Sequence, residues 1–171
     1  MSGLAALLLL PFPAGLIAAA LKDATSFTIP NWISILLVAC FLPAALAGHM
    51  PMGALGLCLA AGAIALVVGI ALFAMGWCGG GDAKLLAAAA LWLGWPAVLP
   101  FLAFTGLAGG ALAGGLMLLR GGLLEPYLVR GPAWLGRLLT PKEDLPYGLA
   151  IAVGALAAFP SSELFRAFTA G

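Results

Sequence analysis

Residues 76–86 read GWCGGGDAKLL, and they break a chain that on either side is almost pure hydrocarbon. The preceding acidic residue is Asp23. The 58 residues between Asp23 and Asp82 hold no Asp, Glu, Lys or Arg. A helix needs about 20 apolar residues to cross a bilayer, so three crossings would need about 60 residues before any turn. One crossing would leave a long apolar loop. Two crossings fit. An even number returns the chain to its starting face, so Asp23 and Asp82 are expected at the same membrane face, at the ends of different helices.

Composition supports a membrane setting. The 171 residues are 64% hydrophobic and 8% charged, with a mean hydropathy of +1.19. Soluble domains carry roughly a quarter charged residues. This chain has too few to solvate a surface and reads as an integral membrane protein in contact with the lipid bilayer. The length suits one transmembrane domain over 1–171. A net charge of +1 gives no pointer to nucleic acid. Cys40, Cys58 and Cys78 form no CxxC pair and have no neighbouring His, so they read as small hydrophobes and no metal site is expected. His49, in AGHMP, reads as a turn residue at the interface.

Outward from the glycine loop, the apolar runs predict an all-α fold of about six transmembrane helices. The spans are expected at about 3–21, 32–48, 52–75, 83–95, 97–119 and 146–165. The first lacks a basic segment ahead of it and reads as a retained span rather than a signal peptide. Thr28, Pro30 and Asn31 supply a turn and a helix start before the second. Residues 85–119 must hold spans four and five in 35 positions, so each is short or the turn between them is tight. The 120–145 stretch holds most of the charges and interleaves Leu, Tyr and Trp with basic residues. It reads as an amphipathic segment lying in the interface between spans five and six. Small residues at spacing four, such as Gly110 and Gly114, read as helix-packing positions. In this topology Lys22, Lys84, Arg120, Arg130, Arg137 and Lys142 share the side of the two aspartates, and only Arg166 lies opposite. The excess of positive charge makes that side cytoplasmic.

Carboxylates near hydrocarbon cost about 2.5–3.5 kcal/mol at a helix centre and less near the interface, so two at one face suggest a use. Two neighbouring carboxyls can share one proton, because both cannot ionise cheaply. The ionised one can then take a proton from water while the protonated one polarises a carbonyl, which is the chemistry of aspartic peptide hydrolysis. Glycines 79–81 would let a substrate strand approach closely, through a positive φ and the absence of Cβ atoms. The plain alternative is that Asp23 marks a helix end at the water and Asp82 caps the N-terminus of span four. A transporter could use the same groups as a relay, although the span interiors carry no charge to continue it.

Two motifs carry a resemblance. One is Asp23 followed six residues later by Ile29-Pro30-Asn31-Trp32. The other is Gly79-Gly80-Gly81-Asp82-Ala83-Lys84-Leu85-Leu86. A weaker third is Pro146-Tyr147-Gly148-Leu149-Ala150-Ile151. With these, residues from about 15 to 155 resemble the type IV prepilin peptidases, membrane aspartic proteases of the GxGD type. The resemblance implies that Asp23 and Asp82 are the catalytic pair and that Gly79, Gly80 and Gly81 form the substrate-approach loop. Lys84 and Asn31 fall within the motifs as possible supporting residues. It also implies a prepilin substrate with a basic leader, a glycine and an apolar helix, cut after the glycine at the cytoplasmic face of a bacterial inner membrane. Larger members carry paired CxxC motifs in a module that goes with methylation of the new N-terminus. This chain resembles the short branch that serves Flp-type (tight-adherence) pili. Cleavage without a cofactor and without methyl transfer is therefore expected. The segment after Asp23, ATSFT, carries fewer basic residues than that family leads one to expect. Two other functions fit the same sequence, a small transporter and a non-enzymatic scaffold of a pilus or secretion machine. Proximity of the two carboxylates favours the peptidase over both.

Overall fold

The computed structural model describes residues 7–119 and 145–169, and all its regular structure is helical. In chain order the helices are α1 Pro11–Ser26, α2 Asn31–Ala47, α3 Met52–Ala74, α4 Gly80–Leu93, α5 Trp95–Leu119, α6 Tyr147–Ala158 and α7 Glu163–Thr169. A single 3₁₀ turn, Phe159–Ser161, joins the last two. The interfacial segment expected at 120–145 lies outside the described residues except for Leu145.

Among the described residues two helices, α3 and α5, are long and apolar enough to cross a membrane, with 23 and 25 residues. The α6 and α7 pair qualifies as a third if its 42° bend is taken as one broken span. Helix α2 is apolar but shorter, at 17 residues. The large apolar side chains of these helices face outward, including Ile35 and Val38 on α2, Val67 on α3 and Leu107 on α5. An outer surface of this kind suits lipid rather than water.

Helix α4 is the axis of the bundle. It packs against α2, α3, α5 and α6, and Ala88 through Leu93 are all buried. The run of alanines allows this, because backbones approach closely where side chains are small. Over 85–119, where two short spans or a tight turn are expected, the first helix is short, the second is long at 25 residues, and the turn between them is tight. Helix α4 is short, at 14 residues, and the turn to α5 is Gly94 alone, with φ at 69°. A side chain there would be strained and would also meet the Cys58 sulfur at 2.7 Å.

Helices α1 and α4 run antiparallel. At one end Phe12 of α1 stacks on Trp92 of α4 with ring centroids 5.1 Å apart, and Phe41 of α2 meets the same indole edge-on. The buried Trp92 indole donates to the Leu37 carbonyl oxygen at 2.8 Å, which satisfies its N–H. From this aromatic floor α1 runs to Asp23, and α4 runs back to Asp82.

A Cβ on Gly110 or Gly114, read as packing positions, would meet nothing within 4 Å from another element among the described residues. The close approaches lie elsewhere. A Cβ on Gly69 would sit 3.0 Å from Ala83, and one on Gly154 would overlap the Thr105 hydroxyl. Spacing alone does not say which face of a helix meets a neighbour.

Candidate active site

Helix α1 places Asp23 on its buried face. Leu16, Ala19, Ala20 and Asp23 follow the helical period and are all buried. The apolar run ends at residue 21, but the helix continues one turn further, to Ser26. Phe27 then closes it in a left-handed conformation, φ 52°, with its N–H bonded to the Asp23 carbonyl oxygen at 2.9 Å. That backbone is uncommon for a bulky residue. It turns the chain sharply into Thr28, Ile29 and Pro30.

Asp82 stands in the first turn of α4. Its Oδ2 accepts the Gly79 N–H at 3.1 Å, so the capping role open to it is realised. Asp23 is held in a comparable way by another helix. Its Oδ2 accepts the N–H of Gly148, in the first turn of α6, at 2.7 Å. First-turn N–H groups have no partner within their own helix, so a carboxylate is a natural one.

The two aspartates line one cleft of about 240 Å³, with Phe27, Thr28, Ile29 and Gly79–Gly81. Asp23 is only 5% exposed. Both carboxyls lie outside the apolar runs of their helices, and both are pushed up from the ordinary carboxylate range. Burial, then the Asp82 charge, raises Asp23 to about 6, against the opposing pull of the Gly148 and Leu149 N–H groups. Burial raises Asp82, opposed by the Gly79 N–H. Asp23 thus feels the charge of its neighbour.

Ile29 is the wedge of the site. A Cβ on Gly81 would meet the Ile29 Cβ at 3.0 Å, and one on Gly148 would meet its Cδ1 at 2.6 Å and Asp23 Oδ2 at 2.8 Å. The glycines at 81 and 148 therefore admit neighbours rather than an unusual backbone, while a Cβ on Gly80 would make only ordinary contact with Phe73. The positive φ expected at 79–81 is absent there, and Gly79 has φ −72°. The left-handed glycine of this loop is Gly76, at φ 73°.

The structure thus brings together Asp23, Gly79, Gly80, Gly81 and Asp82. Lys84 and Asn31 do not line the cleft. They pair with each other, the Lys84 ammonium donating to Asn31 Oδ1 at 2.8 Å across 53 positions of sequence. Gly148 and Ile29 were not among the expected site residues. Gly148 had only the signal of its place in Pro146-Tyr147-Gly148, the weak third motif, at the start of a helix. Among the described residues no three His, Cys, Asp or Glu side chains gather to hold a metal ion.

The model of the type IV leader peptidase family matches residues 10–114, more than half of the sequence and including both carboxylates. The chain belongs to the type IV leader peptidase family. It is a protease, and among the described residues its helices α3 and α5 are suited to a membrane. No curated protein and no solved structure matches it. Residues 145–169, which supply the Gly148 N–H to the leader peptidase's cleft, fall outside the matched stretch.

Proposed function

We propose that this leader peptidase removes the basic leader of Flp-type prepilins at the cytoplasmic face of a bacterial inner membrane, with Asp23 and Asp82 as the catalytic pair. The observation that carries this reading is the shared cleft. Two carboxyls from separate helices face one space, each fixed by a backbone N–H and each with a raised pKa. A transporter or scaffold has no need of that arrangement.

In the proposed reaction the pair holds one proton. The ionised carboxylate takes a proton from water, and the water oxygen attacks the carbonyl carbon of the scissile glycine. The protonated carboxyl hydrogen-bonds the carbonyl oxygen and stabilises the developing charge. Collapse of the tetrahedral intermediate breaks the C–N bond, and the departing amine takes the proton gained from water. The raised pKa values suit this cycle, since one carboxyl must stay protonated well above its ordinary range. The cleft opens beside the glycine loop, where an unwound strand can approach.

Six spans, with the 120–145 segment and both aspartates facing the cytoplasm, remain the topology that best fits the six-to-one bias of Lys and Arg. The test is leader release by the purified protein in lipid vesicles, given an Flp-type prepilin and read by intact mass. The expected product lacks the leader, carries an unmethylated N-terminus even with S-adenosylmethionine present, and forms equally with a strong chelator. An intact prepilin after incubation with folded enzyme would overturn the assignment. Loss of cleavage on chelation, restored by zinc, would overturn the two-carboxylate chemistry.

A further inference from the structure

A second, larger hollow of about 630 Å³ lies between α2, α3 and α4. Its walls have a common register. Positions 31, 34, 35 and 38, with Ala39 beside them, line it from α2, positions 59, 62, 63 and 66 from α3, and positions 84, 87, 88 and 91 from α4. Each set is one helical face, i, i+3, i+4 and i+7, so the groove is two turns long, about 10 Å at 1.5 Å per residue. The surface is apolar, Gly62 lets α3 lie close against Leu91 and Ala87 of α4, and the small Ala63 and Ala87 side chains leave the hollow open to another helix.

One end of the groove is polar. Asn31 and Lys84 close it there, and Ser34 lies one turn further in. The Ser34 hydroxyl is buried and has no hydrogen-bond partner among the described residues. This end adjoins the Asp23–Asp82 cleft. Ile29 and Asp82 line the cleft, while Asn31 and Lys84, two residues further along the same segments, line the groove. A chain crossing this shared wall passes from carboxylates to hydrocarbon within a few residues.

We propose that the groove seats the first two turns of the substrate's apolar helix, directly after the scissile bond, and so delivers that bond to the cleft. The proposal rests on the leader-peptidase reading above and adds the binding mode. The order of surfaces on the enzyme matches the order of segments on the substrate. The carboxylate cleft faces the scissile glycine with the basic leader beyond it, the shared wall faces the residues just after the cut, and the groove faces the apolar helix. Helices that dock in grooves do so through i, i+3, i+4 and i+7 anchors, the periodicity of all three walls. The free N–H groups of the incoming first turn would meet acceptor oxygens at Ser34 and Asn31. A phospholipid, with its phosphate on Lys84 and an acyl chain below, would fill the same groove without using the adjoining cleft.

The test uses a synthetic prepilin segment with a basic leader, a glycine and a 20-residue apolar helix, in vesicles of phosphatidylethanolamine and phosphatidylglycerol. A benzophenone side chain at Ala63, in the groove, should crosslink to the segment's helix, and one at Val67, exposed outside it, should not. Ala63→Phe and Ala39→Phe, on opposite walls, should each raise KM about tenfold or more with kcat changed less than about threefold, and Val67→Phe should leave both as they are. Equal crosslinking from both positions, or an unchanged KM in both filled variants, overturns the proposal. Loss of bound phospholipid from Ala63→Phe in native mass spectra, with KM unchanged, assigns the groove to lipid and also overturns it. Failure of the wild type to cut the segment counts against the leader-peptidase reading. The crosslinks still report whether the helix is seated, so the two claims fail separately.

Discussion

The Gly148 N–H fixes Asp23 at 2.7 Å, and the missing Cβ of Gly148 is what makes room for the carboxylate and for Ile29. Gly148→Ala puts a carbon where both now sit, so the carboxylate must move. A misplacement of about 1 Å can cost about 10²-fold in rate, and a loss of that order in leader cleavage is expected, measured in membranes beside an unchanged level of inserted protein. The pair also sets a pH dependence. One carboxyl must be protonated and one ionised. With Asp23 raised to about 6, log kcat/KM should fall as pH rises through about 6, because the last proton is lost, and fall again in acid as the second carboxyl is protonated. In Asp82→Asn the like charge is gone, so the Asp23 carboxyl should titrate lower than in the wild type by isotope-edited infrared spectroscopy. A higher or equal value would show that Asp82 does not act on it. At this scale much was legible in sequence. A charge-free stretch of 58 residues and a GGGD loop pointed to both carboxylates. The bond from Gly148 was not legible, because it joins positions 125 apart and no pattern of side chains encodes a backbone N–H.

Among the elements, α6 depends on how closely it lies against α5. A Cβ on Gly154 would fall on the Thr105 hydroxyl and 2.7 Å from the Thr105 nitrogen, which is backbone and cannot swing aside. Gly154→Ala should therefore separate the two helices and cost about 1–3 kcal/mol, seen as a lower Tm in detergent. Gly110→Ala, in open space, should leave Tm unchanged or slightly raised, since Ala is the better helix former. Equal falls for both would mean that α5 packs through the Gly110 face instead. The helices themselves were legible as apolar runs. Their ends were less so, because hydropathy marks where hydrocarbon stops and a helix stops where its hydrogen bonds do. Helix α1 outlasts its apolar run by a turn to bury Asp23, and α4 begins three residues before its run, inside the glycine loop.

For the whole molecule, two helices, α2 and α3, separate the two carboxylates, and both carboxylates lie at one end of the bundle. Of those two helices only α3 is long and apolar enough to cross a membrane by itself, so the two crossings between the carboxylates belong to the proposed topology. Orientation follows from charge alone. A Cys placed at Gly131, with Cys40, Cys58 and Cys78 changed to Ser, should be shielded from an impermeant thiol reagent in intact cells and labelled after lysis. Labelling in intact cells would put the cleft on the wrong side of the membrane for a cytoplasmic leader.

The central claim is that Asp23 and Asp82 together perform the hydrolysis, and co-expression of an Flp-type prepilin with Asp23→Asn or Asp82→Asn enzyme tests it most directly. An asparagine side-chain oxygen can still accept the Gly148 or Gly79 N–H, so the local geometry survives while the shared proton does not. Each variant should insert normally and leave the prepilin at its full mass, a loss of about 10²–10⁴-fold or more in leader removal. Mature pilin formed at close to the wild-type rate by either variant would contradict the account.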